Sequence, residues 1–149
     1  MRSVFDLSTR AEILQRIEAL RPGLQPVWGK MTVTQMVKHC QLCEEYYFEK
    51  FSIGRSFIGR IFGRMAIKAI LKDEQAMLRK NSPTAAVFSV TENITDLEAE
   101  KYKWKSMVEQ YATFDRNEFT HWFFGKMTRE QLGRFIYKHT DHHLRQFGV

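Results

Sequence analysis

The chain has 149 residues, of which 44% are apolar and 13% aromatic; this composition excludes disorder and supplies a core for one domain, residues 1–149, without disulfide staples. No apolar run approaches the ~20 residues of a membrane span, and Arg2 to Leu14 lacks the apolar stretch of a signal peptide, so a cytoplasmic protein is expected. The net charge of +6 admits an anionic partner, but no helix-turn-helix, zinc-finger or RNA-recognition signature accompanies the basic residues, which argues against nucleic acid.

Thr9-Arg10-Ala11-Glu12 has the form of a capping box, in which a Thr hydroxyl and a Glu side chain satisfy each other's backbone amides. Ile13, Leu14, Ile17 and Leu20 follow at helical spacing, so a first helix is expected from Thr9 until Arg21-Pro22-Gly23 stops it. Trp28, in the connection that follows, reads as an apolar anchor. A second helix is expected from about Thr32 to Phe48, with Met36, His39, Cys40, Cys43 and Tyr47 on its inward stripe. Taken alone, His39 fits either a neutral hydrogen-bonded core histidine or a metal ligand. Cys40 and Cys43 sit at a spacing that argues against a disulfide between them and read as small buried hydrophobes. Cys43, one turn beyond His39, is also placed to project toward the same site as an extra ligand or reactive thiol.

Ile53 to Leu71 interleaves Gly54, Gly59 and Gly63 with Phe57, Ile58, Ile61, Phe62, Met65 and Ile67, and Arg60, Arg64, Lys68 and Lys72 recur every four residues. Two readings fit: a crossover helix whose glycines allow close packing, or an amphipathic helix that docks an anionic partner or membrane surface. Lys72 to Asn93 shows no sustained period; Asn81-Ser82-Pro83-Thr84 marks a turn, and the stretch is expected either to hold a short helix near Glu74 to Arg79 or to cover the site. Thr95-Asp96-Leu97-Glu98 reads as another capping box, opening a helix with Leu97, Trp104, Met107, Val108 and Tyr111 on one side. Phe114 to Phe124 reads as an aromatic turn, with His121 as a loop residue.

The last helix is expected from Thr128 to about Phe147. Its start echoes the second helix: Gly125-Lys126-Met127-Thr128-Arg129-Glu130-Gln131 matches Gly29-Lys30-Met31-Thr32-Val33-Thr34-Gln35 at five of seven positions, and each copy fits a Thr-x-x-Gln capping box. Counted from its Thr, His39 lies 7 residues on, while His139 and His143 lie 11 and 15 on. The offsets differ by multiples of four, so if both helices turn the same stripe to one core, the three imidazoles converge. Three neutral imidazoles suit Zn²⁺, Ni²⁺ or Fe²⁺ and leave a coordination position open to water or substrate, the mark of a catalytic site. His142, rotated ~100° from His143, is expected to point to solvent or to a hydrogen-bond acceptor beside the site. Gln35, Arg145 and Gln146 are further candidates for contacts to a ligand histidine or a substrate. No paired carboxylates, Gly-rich phosphate loop or nucleophile elbow competes with the histidines.

The pattern His139-x-x-His142-His143-x-x-Gln146, with His39 on an earlier helix, resembles the DinB/YfiT-like superfamily of metal-binding four-helix bundles. Trp28-Gly29-Lys30-Met31-Thr32-x-x-Gln35-Met36-x-x-His39-Cys40 and Phe124-Gly125-Lys126-Met127-Thr128 through Gln146 resemble one branch of it, known mainly as a domain of unknown function; Phe51 to Asn93 matches loosely. The resemblance implies an all-α fold, a left-handed four-helix bundle with an extra crossover helix and a long middle loop, often dimeric. It also implies a divalent metal on His39, His139 and His143. Some members of the superfamily are thiol-dependent transferases or isomerases, which makes a low-molecular-weight thiol and a small electrophile the substrates to expect. The other reading is a non-catalytic metal-binding or interaction module that uses Arg60 to Lys72 to dock its partner.

Overall fold

The computed structural model describes all 149 residues. Five helices dominate it: α1 (Leu7–Glu18), α2 (Val33–Tyr47), α3 (Phe57–Ile70), α4 (Leu97–Gln110) and α5 (Arg129–Gln146). A short antiparallel hairpin, β1 (Glu118–His121) and β2 (Gly125–Thr128), precedes α5, with Phe119 opposite Met127 and His121 opposite Gly125. No helix is long and apolar enough to cross a membrane.

The echoed motif produces the same local structure twice. Thr32 Oγ1 accepts from the Gln35 amide at 3.2 Å, and Gln35 Oε1 accepts from the Thr32 amide at 3.0 Å. Thr128 and Gln131 repeat the exchange at 3.2 and 3.1 Å. Each box follows a glycine in the left-handed region, Gly29 at φ 84° and Gly125 at φ 82°, a conformation that a side chain would strain. The two copies therefore launch α2 and α5 in the same way, and this sets the register of every histidine behind them.

Two other helix starts differ from the sequence expectation. α1 begins two residues before Thr9, with Asp6 at the N-cap; Thr9 is buried, and Glu12 pairs with Arg2 and Arg16 rather than folding back on the chain. α4 is capped by Asp96, whose Oδ1 accepts from the Ala99 amide at 2.9 Å, one residue after the expected Thr95. A carboxylate outcompetes the neighbouring hydroxyl because it carries the charge favoured at a helix N-terminus.

The four helices α1, α2, α4 and α5 enclose one cluster of 27 buried apolar residues, centred on Ile13, Ile17, Met36, Val37, Trp104, Leu132, Ile136 and Leu144. The polar groups between α1, α2 and α4 are paired. Glu44 accepts from Tyr111 Oη and from Trp104 Nε1, Gln41 donates to the Glu100 carboxylate at 2.7 Å, and Lys101 donates to the carbonyls of Glu18 and Leu20, closing the end of α1.

Phe114 to Phe124, expected as an aromatic turn, instead carries the first strand of the hairpin. Glu118, Phe119, Thr120 and His121 alternate exposed and buried, but four residues of period two vanish inside a run of phenylalanines. His121 is a buried strand residue rather than a loop residue: its Nδ1 accepts from the Phe123 and Phe124 amides at 3.1 and 3.3 Å and closes the hairpin.

The hairpin in turn seats α3. Ser56, the N-cap, donates its amide to the Trp122 carbonyl at 3.0 Å, and Gly59 and Gly63 lie against the backbone of Phe123. A Cβ at Gly63 would overlap the Phe123 carbonyl oxygen, a backbone atom with nowhere to move. Gly63→Ala is expected to cost about 2–3 kcal/mol, measured by urea unfolding, because overpacking against backbone cannot relax as a side-chain clash does.

No helix forms between Glu74 and Arg79. The carbonyls of Asp73, Glu74 and Ala76 converge on the Lys138 ammonium of α5, which draws them away from helical bonding. The long middle loop instead lies over the bundle and holds a 3₁₀ turn, Ala86–Phe88, whose Phe88 is buried.

Candidate metal centre

α2 and α5 bring three imidazoles together. The ring centroids of His39 and His143 are 4.8 Å apart, those of His139 and His143 4.7 Å, and those of His39 and His139 5.5 Å. His39 and His143 are buried, 5% and 7% exposed, whereas His139 is partly buried, so what solvent access the cluster has is on the His139 side.

Hydrogen bonds fix which nitrogen each ring presents. His39 Nδ1 lies 2.8 Å from the Phe88 carbonyl oxygen and His143 Nδ1 lies 2.9 Å from Gln146 Oε1. Both partners are acceptors, so both Nδ1 atoms carry the proton and both Nε2 atoms are left with a free lone pair. Gln146 is held in turn, its Nε2 donating to the Trp28 carbonyl at 2.8 Å. The constraint extends to Gly29, where a Cβ would come within 2.7 Å of that same amide nitrogen. His139 has no hydrogen-bond partner at either nitrogen.

Burial also holds the rings neutral. It depresses the pKa of His39 against the opposing pull of the Phe88 carbonyl, and it pushes His139 well below the usual range, helped by His143 and His39. His143 is lowered to about 3, by burial first and then by His39, against the Gln146 hydrogen bond. An imidazole without a proton on its inward nitrogen is in the state that coordinates a cation.

Cys43 adjoins the cluster, with its Sγ 3.8 Å from His39 Nε2. One candidate ligand atom from each of His39, Cys43 and His139 fits within 4.8 Å of the others. Burial raises the Cys43 thiol well above its ordinary pKa, so without a cation it stays protonated, and its S–H points at the His39 lone pair.

The remaining candidates separate. Gln146 touches His143, as described. Gln35 is consumed by the capping box and by a 3.3 Å bond to the Glu92 carbonyl. Arg145 is exposed and pairs with Asp141 at 2.9 Å, away from the imidazoles. His142 does not face solvent: it is 8% exposed, its ring lies 5.3 Å from that of Trp28, and its Nδ1 is buried without a partner. The Trp28 indole nitrogen is likewise buried and unpartnered, and the Lys80 ammonium sits 4.3 Å over the indole ring. Sequence reasoning missed the Phe88 carbonyl because any residue type supplies one, and it missed Trp28 as a backbone acceptor for the same reason.

A family model described as the DinB superfamily matches residues 7–147. No curated protein and no solved structure matches the chain.

Proposed function

We propose, from the premise that the chain belongs to the DinB superfamily, that it is a divalent-metal-dependent enzyme whose ion sits on His39, His139 and His143, and that it transfers a small thiol to an electrophilic substrate. The observation that supports this reading is the pairing of proximity with orientation: the three neutral rings lie 4.7–5.5 Å apart, centre to centre, and two are held so that their unprotonated nitrogens are the Nε2 atoms. The relay from His143 through Gln146 to the Trp28 carbonyl would satisfy a buried histidine in any case; held this way, it also fixes the ring orientation that a ligand needs. A bound divalent ion would supply Lewis-acid chemistry there, lowering the pKa of a coordinated thiol or water at the open position.

The chain's own residues do the rest. His39 and His143 form the closed wall and His139 borders the open side, with the Phe135 ring 6.0 Å from His139 as an apolar flank. Trp28 Nε1 and His142 Nδ1 are buried without hydrogen-bond partners on rings 5.3 Å apart, so they are the polar groups beside His143 left free to meet a substrate group if one enters. No carboxylate is available as a base: Asp141 is taken by Arg16 and Arg145, and Glu44 by Tyr111 and Trp104. The site therefore favours a nucleophile that loses its proton on coordination alone, and a thiol, with an ordinary pKa of ~8.5 against ~15.7 for water, needs the smaller shift.

Elemental analysis of protein purified without a metal-binding tag is expected to find about one divalent ion per chain, with Gln146→Leu binding it ~10–100-fold more weakly. The loaded protein is then offered low-molecular-weight thiols with a panel of electrophiles. Metal-dependent thiol consumption supports the transferase reading; a loaded protein inert to every pair sinks it.

A further inference from the structure

We propose that α3 is a membrane-docking helix that lies in the surface of an anionic lipid bilayer. The first observation is charge. Residues 50–72 hold Lys50, Arg55, Arg60, Arg64, Lys68 and Lys72 and not one Asp or Glu; the other 17 basic residues equal the 17 acidic ones, so the net charge of +6 belongs entirely to α3 and its flanks. The second is exposure. Phe57 is 77% exposed, Ile58 and Ile61 59%, Phe62 50% and Met65 65%, five of the eleven large apolar side chains that the molecule leaves in water.

The two observations share one geometry. At ~100° per residue, the five apolar side chains cover an arc of ~140°, opposite the arc holding Gly59, Gly63 and Ile67. That inner arc is seated on the hairpin, so α3 cannot roll to hide its outer face. Arg60, Arg64, Lys68 and Lys72 step along the border of the apolar arc and across its edge. Arg64 donates to the Lys126 carbonyl, while Arg60, Lys68 and Lys72 have no acidic partner and no side-chain hydrogen bond. An apolar face edged with unpaired cations is what the boundary between headgroups and acyl chains accepts. With 14 residues the helix is ~21 Å long, too short to span and suited to lying in the plane.

Charge decides between occupants. A second copy docked by the same face would bring two acid-free basic segments together with nothing to neutralise them. A bilayer containing anionic lipid supplies both the negative surface and the apolar layer, and it needs no groove to receive a convex helix.

The test is sedimentation of the full-length protein with phosphatidylcholine vesicles, with and without roughly a third phosphatidylglycerol. The protein is expected to partition at least tenfold better into the anionic vesicles and to lose that preference in high salt. Each basic residue near the surface is worth about fivefold, so Arg60→Gln, Lys68→Gln and Lys72→Gln together are expected to lower partitioning about a hundredfold. Ile61→Ser with Met65→Ser is expected to abolish it; these side chains are exposed, so unchanged melting curves establish that both variants are folded. No preference for anionic vesicles overturns the proposal, as does binding to a soluble polyanion without binding to vesicles. A wild-type dimer that Ile61→Ser with Met65→Ser converts to a monomer also overturns it, since a second copy would then be what covers α3.

Discussion

His139→Ala is expected to leave the protein folded and to reduce its divalent metal from about one equivalent to background. His139 can be removed with little loss of pairing because it makes no hydrogen bond, so no donor or acceptor is orphaned. The stability cost to the metal-free protein is expected to stay below ~2 kcal/mol. If the ion sits on the three histidines, two rings are expected to hold it far more weakly than three. Cys43→Ala is the control. Its buried, protonated thiol is 3.8 Å from His39 Nε2, and if the ligands are the three histidines, this variant keeps its metal. Metal analysis and thermal melts of the two variants read out the assignment. If Cys43→Ala empties the site as fully as His139→Ala, the ligands are His39, Cys43 and His139, and His143 is only a neighbour. If His139→Ala unfolds, the ion is structural and the open position loses its meaning.

What could be read from the sequence divides by the range of the interaction. The starts of α2 and α5 were legible because a capping box is local, with Thr and Gln three apart exchanging bonds with each other's amides. From those two starts a shared face for His39, His139 and His143 followed by counting, whereas the fold class came from the resemblance to the DinB/YfiT-like bundles. The Thr9 box failed because its partner residues had distant claims: Glu12 is held by Arg2 and Arg16. The hairpin was hidden because its strands are four residues long and one of them doubles as the capping motif of α5. Both features of α3 were read from the sequence, but as alternatives. Its glycines do pack, as one reading had it, yet the apolar stripe beside them stays in water, and no sequence pattern says which face a neighbour will take. The contacts that orient the rings were invisible at the Phe88 and Trp28 carbonyls, since backbone carbonyls carry no residue signature.

The second large effect is expected in acid. All five histidines have depressed pKa values, so the unfolded chain binds protons that the native protein refuses. His121 and His143, each near 3 when folded and ~6.5 when unfolded, contribute stability that is fully present above pH ~6.5 and is lost as the pH falls toward 3. At pH 4.5 each has given up about 3 kcal/mol, ~1.4 kcal/mol for every unit below 6.5. Glu44 works the other way. Burial lifts its carboxyl to about 7, against the Tyr111 and Trp104 hydrogen bonds, so the folded protein takes up this proton first and regains about 3 kcal/mol as the pH falls from 7 to 4.5. Below 4.5 that compensation is exhausted while the histidines continue to titrate. Metal-free protein is therefore expected to be most stable near pH 7, to lose at least ~1–1.5 kcal/mol per unit below pH 6, and to lose stability more steeply below pH ~4.5. Urea unfolding at closely spaced pH values measures the slope. His121→Phe, which keeps an aromatic ring against Phe124 and Phe135, is expected to remove about one proton's worth of it even though the unpaired Phe123 and Phe124 amides lower the whole curve. A stability profile flat from pH 7 to 5, or a slope untouched by His121→Phe, would mean that these imidazoles reach water in solution, and the neutral cluster on which the metal centre depends would go with them.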